Sequence, residues 1–311
     1  MAEKTLPYLS NECLESLGIT TSDVIEMMEK LILGAAAGTV WNAPKAVLMP
    51  GDNRYLMATL SAAEDPPYMA VKSLALNPSN PSRGIPQINS VVALHDADTG
   101  VPLAIIEGNW VTAVRTAGLS AVAARHLANK ESSVAAFIGC GHQADSHLDA
   151  FRQMFPLTEV RAMGRGKANR DRFLEIARGH NLKTVACDDA QTVVKGADII
   201  VTSVTLNYET EAFIDARWLK KGAFTAITDL AIPWIDDSMS AFDRIVIDDL
   251  EQERAMAKPM VAKDLIEGDI TGLVSGTLTP RQHRDDKIAF VFRGLALGDL
   301  ALAALAWERY Q

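Results

Sequence analysis

The apolar run 133–138 leads directly into Gly139-Cys140-Gly141-His142-Gln143-Ala144, and a helical pattern begins at once behind it. Few folds satisfy a strand, a tight glycine turn and a helix in that order. Glycines let the backbone approach a pyrophosphate, and the helix N-terminus supplies free N–H groups and positive potential; the alternative is a turn that is only structural. The surrounding pattern favours the first reading. From Ser132 on, short apolar runs at 134–138, 159–162, 183–186, 198–202, 224–227 and 244–247 alternate with helical stretches near 143–154, 168–180, 190–195 and from 239–242 onward. Six strands with helices between them predict an α/β fold, a Rossmann-type doubly wound parallel sheet.

The first 110 residues read differently. Runs 46–49, 55–59, 69–76 and 89–95 are β-like and are separated by turn clusters such as Pro50-Gly51-Asp52-Asn53 and Asn77-Pro78-Ser79-Asn80-Pro81, which predicts a separate, largely antiparallel or mixed sheet. A long helix over 109–128 follows, apolar nearly all round, and it reads as the link between two domains. The closing helix, 295–310, is interrupted only by Asp299 in its apolar stretch and is too apolar to lie alone on a surface. It is expected to pack on the N-terminal part or on a second subunit. The predicted division is thus a discontinuous α+β domain from 1–115 with 288–311, and an NAD(P)-binding Rossmann domain over 116–287.

Composition removes several classes of function. With 30 Lys plus Arg against 39 Asp plus Glu, the formal charge is −9, and no basic cluster offers a footprint for nucleic acid or an anionic membrane. No stretch is apolar for the ~20 residues a membrane span requires. The N-terminus carries Glu3, Lys4, Glu12 and Glu15 without an apolar core, so a cytoplasmic protein is expected. Cys13, Cys140 and Cys187 are widely spaced and are read as buried thiols, not as a disulfide framework. No histidine spacing suggests a metal site, and Asp248, Asp249, Glu251 and Glu253 read as a solvated acidic face.

The cofactor choice is read at the end of the second strand. An acid there would hold the ribose 2′-OH of NAD, but the chain continues Met163-Gly164-Arg165-Gly166-Lys167. Arg165 and Lys167 could pair with a 2′-phosphate, so NADP is favoured over NAD. Gly139, Gly141, His142, Gln143 and Ala144 are the expected cofactor turn. Thr205 and Asn207, after the fourth strand, are ribose or nicotinamide contacts by position.

Further segments carry a family resemblance: Met69-Ala70-Val71-Lys72 before an Asn-Pro turn, Trp110-Val111-Thr112-Ala113-Val114-Arg115-Thr116-Ala117, the glycine turn, and Phe290-Val291-Phe292-Arg293-Gly294-Leu295-Ala296-Leu297-Gly298-Asp299-Leu300. Over nearly its whole length the chain resembles the ornithine cyclodeaminase/mu-crystallin family. That resemblance implies a Rossmann domain plus a substrate-binding, dimerising domain, hence a homodimer acting on a small amino or imino acid. It places the family's active-site lysine at Lys72 and the carboxylate-gripping arginine at Arg115. A further basic position, usually arginine, falls on Lys45, which lacks the bidentate fork. The physical logic agrees, because an α-carboxylate needs a fixed cation and a lysine beside the reacting carbon can deliver a proton if burial lowers its pKa.

The departure from the family lies after the fifth strand. Cyclodeaminases carry an aspartate there, in a stretch reading Asn-Ala-Val-Gly-Gly-Asp-x-Pro, and alignment on Pro233 puts that aspartate at Ala231. Asp229, two residues earlier, could replace the acid, bind a substrate amine, or cap the following segment. Cyclisation needs a group to manage nitrogen, whereas reduction of a ready-made imine needs positioning, hydride and a proton. The favoured function is therefore an NAD(P)H-dependent reductase of a small 2-imino acid. The alternatives are a cyclodeaminase using bound NAD and a non-catalytic NADP-binding protein.

Overall fold

The computed structural model describes residues 5–205 and 209–311. The chain divides into two compact units, Met1–Arg115 with Leu295–Gln311, and Thr116–Gly294.

The first unit is built on a seven-stranded sheet. Its strands are β1 (Tyr8–Leu9), β2 (Val40–Asn42), β3 (Ala46–Leu48), β4 (Tyr55–Ala63), β5 (Tyr68–Leu76), β6 (Ile88–Asp96) and β7 (Pro102–Glu107), in the order β1-β7-β6-β5-β4-β2 with β3 also on β4. All pairs are antiparallel except β1 with β7. Two helices that the strand-after-strand reading passed over precede the main strands, α1 (Asn11–Ser16) and α2 (Thr21–Ala37). Their signals are in the sequence: Thr20 and Asp23 form a capping box and Gly38 closes α2 in the left-handed region. The closing helix, α9 (Ala296–Tyr310), packs on α2 and on β4, β5 and β6. Of the two expected resting places for it, the N-terminal part is the one observed.

Alternation sorts the two faces of this sheet. Thr59, Ala70, Lys72, Leu74, Val92 and Leu94 point into the buried side. Trp41, Leu48, Leu56, Leu60 and Val91 lie on the opposite face, all exposed.

Helix α3 (Gly108–Leu127) contains the boundary between the units. The second unit holds eight strands: β8 (Val134–Ile138), β9 (Glu159–Met163), β10 (Lys183–Ala186), β11 (Ile199–Thr202), β12 (Phe224–Ile227), β13 (Arg244–Ile247), β14 (Ile266–Asp269) and β15 (Ile288–Val291). They are all parallel, in the order β10-β9-β8-β11-β12-β15-β13-β14. Helices α4 (His142–Met154), α5 (Lys167–Gly179), α6 (Ala190–Val194), α7 (Leu250–Ala255) and α8 (Ile270–Ser275) occupy the connections.

The doubly wound expectation holds, with three corrections. Two strands were missed. The segment from Asp236 to Ala241 is a 3₁₀ turn that ends at an extended Phe242, so the helical stretch expected from 239–242 onward does not form. Residues 288–294 were assigned to the first unit, yet β15 inserts between β12 and β13, so the first unit resumes only at Leu295. The four-residue run Ile288–Val291 is buried throughout, as a strand covered on both faces must be.

The order turns back on itself at β8 and β11, the switch point where a doubly wound sheet binds ligands outside its strand ends. Among the described residues no helix is long and apolar enough to cross a membrane, and no cluster of His, Cys, Asp and Glu could hold a metal ion.

Candidate active site

In the first unit, three charged side chains meet in the core. Lys72 sits mid-strand in β5, opposite Thr59 of β4 and Val92 of β6, with its side chain toward the buried face. Its Nζ donates to Asp299 Oδ1 at 2.7 Å, and the two side chains are 1% and 3% exposed. Arg115 brings Nε within 3.3 Å of the same oxygen and is 12% exposed. Thr59 Oγ1 donates to Asp299 Oδ2 at 3.0 Å. Asp299 lies in the first turn of α9, where the helix dipole favours a carboxylate.

The cluster has more positive than negative charge. Lys72 and Arg115 share one carboxylate, and Arg115 Nε and Nη1 are buried without a hydrogen-bond partner. A buried guanidinium with unused donors is costly until an anion arrives. Burial pulls the Lys72 ammonium down from its usual value to about 8; the Arg115 charge adds to this, Asp299 opposes it, and Lys45 makes a smaller contribution in the same direction as Arg115. The cluster thus sets unused guanidinium donors, which an anion could meet, beside a lysine that can give up its proton near neutrality. Lys45, half-buried, acts on it through its field.

Sequence reading gave Asp299 no role, noting it as an interruption of an apolar helix within a resembling run. The signal was there: α9 is buried nearly all round, and a charged residue in such a helix needs a partner of opposite sign.

In the second unit the glycine turn makes a tight connection from β8 into α4. Gly139, at φ +96°, backs onto Ser203, whose carbonyl oxygen would lie 2.5 Å from any Cβ placed there. Gly141 caps α4 without a side-chain hydrogen bond and faces open space. A side chain at Gly141 would project into that space, whereas glycine leaves the first-turn amides open to an anion. Gln143 has a buried Oε1 without a hydrogen-bond partner, and Ala144 is buried. His142, read from the sequence as part of the cofactor turn, has a side chain 92% exposed, 3.9 Å from Asp145. Its position in the first turn of α4 faces solvent.

Beyond β9, Arg165 and Lys167 are exposed. Their neighbours Arg170 and Arg172 are already engaged, Arg170 by Asp188 and Asp171, and Arg172 by Asp145 and the Cys140 carbonyl. Thr205 is exposed after β11, and Asn207 lies outside the described residues.

Asp229 does not reach solvent. It is 1% exposed, and its oxygens accept from Thr202 Oγ1 at 3.1 Å and from the Val204 amide at 3.0 Å. Burial pushes its carboxyl up to about 7. Both oxygens are committed inside the unit, so this geometry does not support the proton-transfer role first considered for it.

The acidic stretch after β13 also departs from expectation. Asp248 and Glu253 are buried, not solvated: Asp248 accepts the Arg293 and Gly294 amides at 3.0 and 2.7 Å, and Glu253 pairs with Arg293 Nε at 2.7 Å. These bonds fix the segment after β15. Cys140 and Cys187 are buried free thiols, whereas Cys13 is half-buried.

The model of the ornithine cyclodeaminase/mu-crystallin family matches residues 10–311. The chain belongs to that family. Alanine dehydrogenase of Archaeoglobus fulgidus is 28% identical, over 96% of this chain and 94% of that protein. Ketimine reductase mu-crystallin of Mus musculus is 29% identical, over 82% and 80%. Among solved structures, Thermococcus litoralis Δ1-pyrroline-2-carboxylate reductase in complex with NADH and L-proline superposes with a TM-score of 0.90 at 25% identity, covering 98% of this chain and 97% of that one.

Proposed function

We propose that this chain is an NAD(P)H-dependent oxidoreductase that reduces the C=N bond of a small 2-imino acid and, in reverse, oxidises the corresponding amino acid. The observation that carries this reading is the buried cluster of Lys72, Arg115 and Asp299, with one more positive than negative charge and unused guanidinium donors. Arg115 holds the substrate carboxylate, and Lys45 adds positive potential. Lys72 supplies the proton that balances the reaction. Gly139, Gly141 and the first turn of α4 would hold a nicotinamide coenzyme, whose chemistry would be hydride donation. The relatives named above, two reductases of C=N bonds and an amino-acid dehydrogenase, support this class of chemistry.

A cyclodeaminase would need an acid after β12 to manage the departing nitrogen. Ala231 provides a methyl there, and Asp229 is enclosed. The test is oxidation of NADPH and NADH by the purified protein, with cyclic ketimines and with 2-oxo acids plus ammonia or methylamine. Turnover is expected. Silence across that panel together with ammonia release from ornithine would replace this reading with the cyclodeaminase.

Arg115→Lys keeps the charge but loses the planar fork. It is expected to raise KM with little change in kcat, by the equivalent of about 1.5–3 kcal/mol, or about 10- to 150-fold. A KM within twofold of wild type would move the carboxylate site elsewhere.

We favour NADP(H) over NAD(H), because Arg165 and Lys167 stand exposed where an NAD-binding chain would present an acid. Arg165→Ala with Lys167→Ala should weaken NADPH binding by roughly 10-fold or more, as expected for two solvent-screened phosphate contacts, and leave NADH binding unchanged. Equal effects on both coenzymes would remove the basis for the preference.

A homodimer fits the exposed apolar face of the first sheet. Trp41, Leu48, Leu56, Leu60 and Val91 form a surface that a second copy would cover. A reducing compartment such as the cytoplasm suits the three unbridged cysteines.

A further inference from the structure

The turn after β12 holds an unfavourable conformation. Leu230 and Ala231 both adopt φ +58°, a region in which a bulky side chain is an outlier. Such geometry persists where its surroundings over-determine it, and both flanks are clamped. On one side, Asp229 accepts the Thr202 hydroxyl and the Val204 amide. On the other, the Trp234 indole N–H donates to Thr202 Oγ1 at 3.2 Å, and the Phe213 and Ile214 amides hold the Pro233 carbonyl at 2.8 and 2.9 Å. The Thr228 amide and hydroxyl both reach the Thr202 carbonyl, at 3.0 and 2.8 Å.

These bonds converge on Thr202–Val204, the segment that supports the glycine turn. The Ser203 amide donates to the Ile138 carbonyl at 2.9 Å, and its own carbonyl is the group that allows only glycine at position 139. An unbroken line of contact thus runs from the Asp229 carboxylate, through the end of β11, to the first glycine of the turn.

We propose that Asp229 is a positioning residue for the coenzyme: it exchanges no proton with substrate, but fixes the 202–204 segment behind the glycine turn and thereby sets coenzyme affinity. This inference rests on the reading of the second unit as a dinucleotide site. The residue type suits the task. Above about pH 7, where Asp229 is ionised, its carboxylate only accepts, and here two donors from one strand end, a hydroxyl and an amide, must be satisfied together. Asparagine in its place accepts one of them and turns an NH₂ group toward the other. Alanine leaves the Val204 amide without its acceptor.

The test is the dissociation constants of NADPH and NADH, read by nicotinamide fluorescence, for wild type, Asp229→Asn, Asp229→Ala and Thr202→Val. These are combined with kcat at saturating coenzyme and with hydrogen exchange of the glycine turn. The expected result for Asp229→Asn is coenzyme binding weaker by about 10-fold, the loss of one charge-assisted hydrogen bond. Asp229→Ala is weaker still, and Thr202→Val moves in the same direction. For all three, kcat at saturation stays within about twofold, and exchange at 139–141 quickens. A kcat lowered 100-fold with unchanged coenzyme binding would make Asp229 a proton-transfer group and overturn the proposal. Unchanged binding, kcat and exchange would overturn it as well. If wild type binds neither coenzyme, the functional reading fails, and exchange at 139–141 still decides whether Asp229 holds the turn.

Discussion

Replacing Lys72 with methionine is expected to lower imine turnover by about 10²- to 10⁴-fold, the usual worth of a positioned proton donor, with the fold and coenzyme binding intact. Methionine matches the length of the lysine stem, and Lys72 is among the largest fully buried side chains of the chain, so the substitution fills the same volume without a buried ammonium. Asp299 keeps Thr59 and Arg115 as neighbours. The glycine turn belongs to the other unit and keeps its own supports.

The pH dependence follows from the pKa. Lys72 is held at about 8, so it carries its proton below that pH and loses it above. In the reductive direction, wild-type kcat/KM should therefore fall as pH rises through about 8, and Lys72→Met should lack that limb. A pH–rate profile from pH 6 to 10, with a denaturation curve as control, checks both. Full activity in the folded variant, or a wild-type profile flat through pH 8, would remove Lys72 from the chemistry.

Asp299→Asn should have the largest effect on stability, about 3–5 kcal/mol, because losing one member of a buried charge cluster leaves its partners uncompensated. Lys72 and Arg115 would then face each other without the carboxylate that lies 2.7 and 3.3 Å from them. The same change should shift the profile. Asp299 opposes the downward pull on the Lys72 pKa, so without its charge the limb moves below pH 8, and activity at neutral pH drops more than activity at pH 6. Thr59→Val, which removes only a neutral donor to Asp299, is the control, with a cost of about 1 kcal/mol. Equilibrium denaturation and the pH profile read the two effects separately. A limb that stays at pH 8 in Asp299→Asn would show that burial and Arg115 alone set the Lys72 pKa.

Lys72 and Arg115 were accessible from motifs, because each lies in a short run with a recognisable neighbourhood. Asp299 stands in another such run, but nothing local marks it as a partner. It lies 227 residues from Lys72, and pairing at that separation is a property of how α9 returns to the first sheet. Asp229 is the reverse case. Its place at a strand end suggested chemistry, yet its side chain turns inward, toward a hydroxyl and an amide at the end of the neighbouring strand.

The sequence by itself determined what short-range physics can encode: the period-two and helical patterns that build a parallel sheet, the two glycines that only a tight turn before a helix requires, the absence of an acid after β9, and the apolar character of the closing helix. Tertiary structure alone decided the insertion of β15 between β12 and β13 and the partnership of Lys72, Arg115 and Asp299. The reason is physical. Backbone geometry and side-chain alternation act over a few residues, whereas the charge state of a buried lysine depends on which distant carboxylate the packing of the core brings against it.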